Sequence, residues 1–211
     1  MKGKLIIISS PSGGGKGTLI KEVLMRIPDL AYSVSVTTRG RRPGEADGRD
    51  YNFVTRAEFD AFRLEGGFLE YAEVHGNYYG TSAAVTQELT DAGNDVILEI
   101  DVQGAAAVME NIPDSISIFI LPPSFEALAE RLRARATEDA AQLSLRLRNS
   151  FDEVNRYSRF DYVVINDNVP DAVRRLESII LGERQRRTRQ TGVIKDILVS
   201  FDTSKQTLSQ D

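Results

Sequence analysis

The sequence predicts an α/β fold in which helices cover both faces of a parallel sheet. Three observations support this prediction. Residues 5–8 are four consecutive aliphatic residues, too few for a helix and rich in β-branched side chains, as in a buried parallel strand. A glycine-rich turn and a segment compatible with a helix follow at once. Apolar runs of strand length then alternate with segments of helical length, which is the pattern of strands joined by helical crossovers.

The turn after the first strand has the composition of a phosphate-binding loop. It reads Ser10-Pro11-Ser12-Gly13-Gly14-Gly15-Lys16-Gly17-Thr18. Glycines let backbone N–H groups point at phosphate oxygens, and the following helix adds the positive end of its dipole. Lys16 can reach the β- and γ-phosphates of a nucleotide. A glycine turn without a ligand is the alternative, which the lysine and the strand–loop–helix context disfavour.

The loop departs from the P-loop pattern G-x-x-x-x-G-K-[ST] at two positions. Ser10 stands where the pattern has glycine, and Gly17 stands where it has serine or threonine. The hydroxyl that usually binds Mg²⁺ is therefore absent. We expect Thr18 to replace it, either directly or through water.

Composition and charge exclude several classes of protein. The 211 residues can hold one core with a small insertion, and 41% hydrophobic with 27% charged residues argues against disorder. The chain has no cysteine, which excludes disulfides and thiolate metal sites. A net charge of −5 argues against nucleic acid as a partner. No segment reads as a membrane span or a signal peptide, so we expect a cytoplasmic protein with no membrane partner.

The periodicity of the sequence predicts seven helices and seven strands. We predict helices over residues 18–27, 56–65, 83–92, 102–111, 124–135, 143–157 and 169–187, and strands over residues 5–8, 32–38, 68–74, 77–79, 95–100, 116–121 and 160–165. Residues 35–84 are rich in short strands, tyrosine and glycine, which predicts a small β-rich insertion into a core of residues 1–34 and 85–211. Residues 136–142 are a candidate mobile loop, and the chain beyond residue 188 reads as a looser tail.

Two polar clusters fall in the predicted insertion. Arg39, Arg41 and Arg42 follow a strand in a loop rich in glycine and proline, where guanidinium groups can bind phosphate or form a solvated basic turn. Glu70 precedes a segment of phenols and hydroxyls, residues 76–82. A carboxylate can accept from both N1–H and the amino group of guanine, but the tyrosines are equally typical of packing on a small sheet.

Further candidates lie in the predicted core. Asp101 ends a strand at the sheet edge where α/β proteins bind ligands and can organise Mg²⁺, with Glu99 on the same side. Arginines flank the candidate mobile loop and suit a lid over a transferring phosphoryl group, or a solvated helix face: Arg131, Arg135, Arg146 and Arg148. His75 is the only histidine and is expected to be structural or exposed. The arginines at residues 184, 186, 187 and 189 are expected to form a solvated helix end.

Taken together, four segments resemble the guanylate kinase family of bacterial cytoplasmic type. They are SVSVTTRGRRPGEADGRDYNF, EYAEVHGNYYGTS, LEIDVQGA and DYVVINDN, in the order and spacing of that family. The resemblance implies a P-loop NTPase-type, three-layer parallel sheet core with a GMP-binding insertion at residues 35–84 and a helical lid at about residues 135–143. It also implies Mg²⁺-dependent transfer of the γ-phosphoryl group of ATP to GMP or dGMP. A homo-oligomer is compatible with it.

The resemblance also assigns roles to residues. Catalytic roles are implied for Lys16, Arg39, Arg135 and Arg146. ATP binding is implied for Ser12, Gly13, Gly14, Gly15, Lys16, Gly17, Thr18, Arg131 and Asn166, and GMP binding for Ser35, Arg39, Arg42, Tyr51, Glu70, Tyr79, Thr81, Glu99 and Asp101. Metal binding is implied for Thr18 and Asp101, with water as an intermediary allowed. The lid departs from the family in reading Arg135-Ala136-Thr137 where Arg-Gly is usual.

Two other functions remain open from the sequence. Guanylate-kinase-like domains also occur as non-catalytic binding modules, but those tend to lose P-loop residues that this chain keeps. A P-loop kinase with a different small phosphate acceptor is the second alternative, and Glu70 with Thr81 argues against it.

Overall fold

The computed structural model describes residues 2–74, 76–134 and 140–208. Five parallel strands form the central sheet: β1 (Leu5–Ser9), β2 (Leu30–Tyr32), β7 (Asp95–Glu99), β8 (Ile116–Leu121) and β9 (Tyr162–Ile165). Their order is β2-β7-β1-β8-β9, so the strand that precedes the glycine loop lies in the centre. This position explains why residues 5–8 are apolar on both faces.

Helices bury both faces of this sheet. Ile6 and Ile8 point into a core shared with α1 (Lys16–Arg26) and α7 (Val169–Arg184). Leu5 and Ile7 point to the other side, where they pack with α4 (Val102–Asn111) and with Leu89 of α3 (Ala83–Asp91). The predicted three-layer α/β core is confirmed.

A second, four-stranded sheet stands over the carboxyl ends of the first. It contains β3 (Val36–Thr37), β4 (Asn52–Phe53), β5 (Phe68–Val74) and β6 (Asn77–Ser82) in the order β4-β3-β6-β5. Helix α2 (Arg56–Leu64) covers it through the fully buried Phe59, whose ring stacks on Phe68 with centroids 4.5 Å apart. Thr55 caps this helix in a capping box with Glu58. The division of the chain at residues 35 and 84 stays a prediction.

The single strand predicted over residues 32–38 is wrong. β2 ends at Tyr32 in the central sheet, and β3 begins at Val36 in the second sheet. Between them the Ser33 amide donates to the carbonyl of Ile97, after which the chain leaves the central sheet. The alternation of valine and hydroxyl residues fits either sheet equally, so it could not locate the crossing.

Two helices flank the predicted lid. Helix α5 runs over Phe125–Ala134 and α6 over Ala140–Val154, followed by a short 3-10 helix over Asn155–Arg159. Helix α6 therefore begins three residues before the predicted start at residue 143, and the end of the predicted mobile loop is helical. The remainder of that loop and Arg135 lie outside the described residues, as does His75.

The predicted loose tail is also wrong, because a 3-10 turn at Arg187–Arg189 leads into α8 (Thr191–Leu208). The predicted solvated arginine end is wrong in part. Arg184 Nε and Arg189 Nη2 donate to the buried carboxylate of Asp95 at 2.8 and 2.7 Å. These bonds fix the start of the C-terminal segment to the central sheet. A buried carboxylate requires such partners.

Candidate active site

A cleft of about 1230 Å³ lies between the carboxyl ends of the central strands and the second sheet. This is the edge at which parallel α/β sheets bind ligands. Most of the predicted site residues line it: Ser12, Gly13, Gly14, Gly15, Lys16, Gly17, Thr18, Ser35, Arg39, Arg42, Tyr51, Glu70, Tyr79, Glu99, Asp101 and Arg146. Thr81, Arg131 and Asn166 are not among the residues that line it, and Arg135 lies outside the described residues.

The glycine loop has the geometry of an anion site. Gly13 and Gly15 have φ values of 86° and 85°, which side chains with a Cβ rarely adopt. Gly15 is the N-cap of α1, and this end has neither a side-chain cap nor an acidic residue in its first turn. The first N–H groups of α1 are therefore available to a phosphate.

Asn166 and Arg131 form hydrogen bonds to the backbone of this loop without lining the cleft. Asn166 Nδ2 donates to the Gly14 carbonyl at 2.9 Å, and Arg131 Nη1 reaches the same oxygen at 3.5 Å. Arg131 also donates to the Asn166 carbonyl at 2.8 Å. Both residues were predicted to bind ATP. In the structure both contact the loop backbone, and their role in ATP binding stays a prediction.

Glu99 links the loop lysine to a tyrosine that the sequence did not indicate. Its Oε1 lies 3.8 Å from Lys16 Nζ, and its Oε2 accepts a 3.2 Å hydrogen bond from the hydroxyl of Tyr32. Burial and then the charge of Glu99 raise the pKa of Tyr32 well above its ordinary value. Tyr32 is thus a hydrogen-bond donor at every physiological pH and holds the Glu99 carboxylate beside the loop.

Two side chains of helix α6 form hydrogen bonds to the loop at Ser12. Arg146 donates to Ser12 Oγ through Nε at 2.8 Å and Nη2 at 2.6 Å, while Glu153 Oε2 accepts from the Ser12 amide at 2.8 Å. The two side chains are seven residues apart and so share one helix face. Sequence analysis named Arg146 and missed Glu153. The seven-residue spacing from Arg146 was the signal that could have indicated it.

Glu70 is a buried carboxylate at the far end of the cleft. It is 8% exposed and accepts a 2.6 Å hydrogen bond from Thr81 Oγ1. Burial raises its pKa to about 7, against the hydrogen bond from Thr81 and with a contribution from the charge of Asp101. Thr81 was predicted to contact guanine. In the structure its hydroxyl donates to Glu70 and orients that carboxylate, and its contact with guanine stays a prediction.

A cationic and aromatic cluster lines the second sheet's side of the cleft. Arg39 pairs with Glu45 at 2.8 Å, and its guanidinium lies 5.2 Å from the ring centre of Tyr51. The Arg42 amide donates to the same carboxylate at 2.8 Å. Tyr51 meets Tyr79 edge-on with centroids 5.9 Å apart. The predicted phosphate cluster is therefore brought together, with Glu45 as an acidic member that the sequence analysis did not single out.

Oxygen donors suited to Mg²⁺ lie along the same cleft. Thr18 is exposed in the first turn of α1, and Asp101 caps α4 by accepting from the Gly104 amide at 2.9 Å. A Cβ on Gly17 would lie 3.5 Å from Glu99 Oε1, so this carboxylate stands beside the missing P-loop hydroxyl. No cluster of three or more acidic, histidine or cysteine ligands occurs among the described residues. The donor set fits an ion that keeps waters and shares nucleotide oxygens.

The fold and the cleft define a P-loop nucleotide-binding protein of the α/β class. The glycine loop, its lysine, Arg146 beside the loop and a second sheet over the strand ends restrict the class to kinases of small substrates. The chain belongs to the guanylate kinase family, whose description "Guanylate kinase" it matches over residues 2–183. The resemblance predicted from the four sequence segments is confirmed.

Named relatives are similar along most of their length. Guanylate kinase of Clostridium perfringens strain SM101 is 48% identical over 188 residues, which are 89% of this chain and 87% of the relative. That of Clostridium tetani is 48% identical over 198 residues, covering 94% of this chain and 93% of the relative. The crystal structure of guanylate kinase from Anaplasma phagocytophilum aligns with a TM-score of 0.74 at 34% identity, covering 89% of each chain. Within the described ranges, no helix has the length and apolar character needed to cross a membrane.

Proposed function

We propose that this chain transfers the γ-phosphoryl group of ATP to GMP, and also to dGMP, giving ADP and GDP or dGDP. One observation carries the assignment to a guanine nucleotide: the ionisable carboxylate of Glu70 is buried in the same cleft as the P-loop. An anionic carboxylate accepts from both N1–H and the amino group of guanine. Adenine presents a lone pair at N1, so its binding would leave a buried charge unpaired.

The P-loop end of the cleft is proposed to bind ATP. N–H groups of the loop and of the first turn of α1 surround the β-phosphate, and Lys16 neutralises charge that builds up on the transferring group. Arg146 lies over Ser12 and can move from that hydroxyl to a γ-phosphate oxygen, because both are acceptors. Arg135 is proposed to act from the lid, as the family resemblance implies.

The other end is proposed to bind GMP. Arg39 and Arg42 hold the GMP phosphate, with Tyr51 and Tyr79 donating hydroxyl hydrogen bonds, while Ser35 and Glu70 face the base. A phosphate oxygen of GMP attacks the γ-phosphorus, and the bond to the β–γ bridging oxygen breaks as ADP leaves. The attacking oxygen is already anionic, so no general base is required. Residues 35–84 would thus act as a GMP-binding insertion.

Mg²⁺ is proposed as the metal that accompanies ATP. When bound, it neutralises phosphate charge and aligns the β- and γ-phosphates. Thr18, Asp101 and Glu99 are the residues proposed to hold it through their oxygens and through water. A cytoplasmic location remains a prediction from the sequence.

Lys16 provides the test of this assignment. Lys16→Ala should lower kcat for ADP formation from ATP and GMP about a hundredfold or more while changing the KM for GMP little, because its charge acts on the transferring group. Lys21→Ala, a second lysine on the cleft wall, is the matched control. Wild-type turnover in Lys16→Ala would contradict the P-loop assignment, and binding of nucleotide without ADP formation by the wild type would favour a non-catalytic module.

A further inference from the structure

Helix α8 presents an apolar face that the rest of the described chain does not cover. Ile194, Ile197, Leu198 and Phe201 fall within an arc of about 100° at 100° per residue. They are 38%, 49%, 57% and 70% exposed. Among the described residues, α8 packs mainly against the 3-10 turn that precedes it. An apolar stripe of this kind marks an interaction surface.

The start of α8 is fixed to the core. Arg189 donates to buried Asp95 at 2.7 Å, and Gln190 Nε2 donates to the Arg184 carbonyl at 2.8 Å. Helix α8 then begins as the Ile194 amide bonds the Gln190 carbonyl at 2.9 Å. The helix therefore leaves the core in a defined direction. It also lies beyond residues 2–183, over which the chain matches the family.

The charges beside the stripe indicate what covers it. Lys195 and Asp202 are seven residues apart, lie on the same edge next to Leu198, and have no ion-pair partner in the part of the chain that the structure describes. If two α8 helices pack antiparallel about a two-fold axis, Lys195 of each copy meets Asp202 of the other. The two-fold axis therefore creates two equivalent Lys195–Asp202 ion pairs, as expected of an isologous interface.

The charge of α8 also weighs against other partners. Its ionisable side chains are two lysines and two aspartates, Lys195, Asp196, Asp202 and Lys205, which sum to zero. Helices that lie on anionic membranes or bind nucleic acid carry an excess of lysine and arginine. A helix of mixed sign with a narrow apolar stripe is suited to a second helix of complementary pattern.

We propose that α8 pairs antiparallel with α8 of a second copy of this chain. Leu198 lies near the two-fold axis, and Phe201 packs against Ile197 of the second copy. The pair of 18-residue helices forms a small interface. Interfaces below about 1,200 Å² are weak, so the dimer is expected to depend on concentration.

Sedimentation velocity on the full chain tests the proposal. The wild type should shift from the 23.4 kDa monomer toward twice that mass between about 1 and about 200 µM. Phe201→Asp should weaken dimerisation at least about tenfold. Val199→Ala changes an apolar side chain on the opposite side of α8 and should change it little. Each variant should keep kcat per chain, because these residues do not line the cleft.

A charge exchange tests the antiparallel geometry itself. Lys195→Asp and Asp202→Lys should each weaken the dimer a fewfold by placing like charges together, and the double variant should restore it. A wild type that stays monomeric at every concentration would overturn the proposal. So would a dimer that Phe201→Asp leaves intact, because it would use another surface. Failure of the double variant to recover would overturn the antiparallel arrangement.

Discussion

Replacing Glu70 with glutamine is expected to stabilise the free protein and to impair catalysis with GMP. Burial raises the pKa of this carboxyl from 4.5 to about 7. One pKa unit corresponds to about 1.4 kcal/mol, so keeping the group charged above pH 7 costs the folded state about 3 kcal/mol. Glutamine has no such cost. The glutamine carbonyl can still accept from Thr81. Its amide can donate toward Asp101, whose negative charge disfavours ionisation of Glu70 in the wild type.

The sign of this effect sets the pH range. Below about pH 4.5 the carboxyl is protonated in both states, so the cost is absent. Between 4.5 and 7 the unfolded chain loses its proton while the folded chain retains it, so the free energy of unfolding falls as pH rises. Glu70→Gln lacks this term, and its advantage over the wild type should grow from near zero at low pH to a maximum above pH 7.

Urea unfolding at several pH values measures the stability, and a coupled assay of ADP formation measures kcat/KM for GMP. Glu70→Gln should gain up to about 3 kcal/mol at pH 8 and lose at least about tenfold in kcat/KM, because its amide opposes one guanine donor. Glu73→Gln, on the same strand but exposed, is the matched control and should change neither quantity. A variant with wild-type kcat/KM for GMP would refute base recognition by Glu70.

Three other substitutions probe the rest of the cleft. Arg39→Met should raise the KM for GMP about tenfold or more and leave the KM for ATP nearly unchanged, measured by varying each substrate in turn. Gly17→Ser should change activity less than tenfold at limiting Mg²⁺, because a Cβ there meets Glu99 only at 3.5 Å and the donor set is already present. Glu153→Ala should lower kcat about tenfold by releasing the P-loop amide, whereas Glu153→Gln and the exposed neighbour Asp152→Ala should stay near wild type.

Each of these expectations has an outcome that contradicts it. Equal loss of affinity for both nucleotides in Arg39→Met would show that this arginine does not act on GMP alone. A gain of tenfold or more in Gly17→Ser would show that the native loop holds its metal poorly, at a cost of about 1.4 kcal/mol. An inactive Glu153→Gln with an intact fold would show that the negative charge, and not the hydrogen bond to Ser12, is what matters.

Local signals allowed the core and most of the cleft to be predicted from the sequence. Residues 5–8 are apolar on both faces because β1 lies in the centre of the sheet, and the glycines adopt φ values that few other residues tolerate. Both features depend on residues next to one another in the chain, so pattern analysis detects them.

The features that the sequence did not indicate depend on distant contacts. Tyr32 contacts Glu99, which is 67 residue positions away, and Glu153 contacts Ser12, which is 141 positions away. Nothing near Tyr32 in the sequence indicates its contact, and the local signal for Glu153 is its seven-residue spacing from Arg146. The tail was predicted wrongly for a related reason. An amphipathic helix is usually recognised by an apolar face that packs against the core. The apolar stripe of α8 does not pack against the core in the described chain.

Acceptor choice tests the central claim most directly. The rate of ADP formation from ATP should be measured with GMP, AMP, CMP and UMP as acceptors, each at concentrations below its KM so that kcat/KM is compared. A buried carboxylate that pairs with guanine predicts a preference for GMP over AMP of about 10⁴ or more. Comparable kcat/KM values for GMP and AMP would contradict the claim that this cleft is built to phosphorylate a guanine nucleotide.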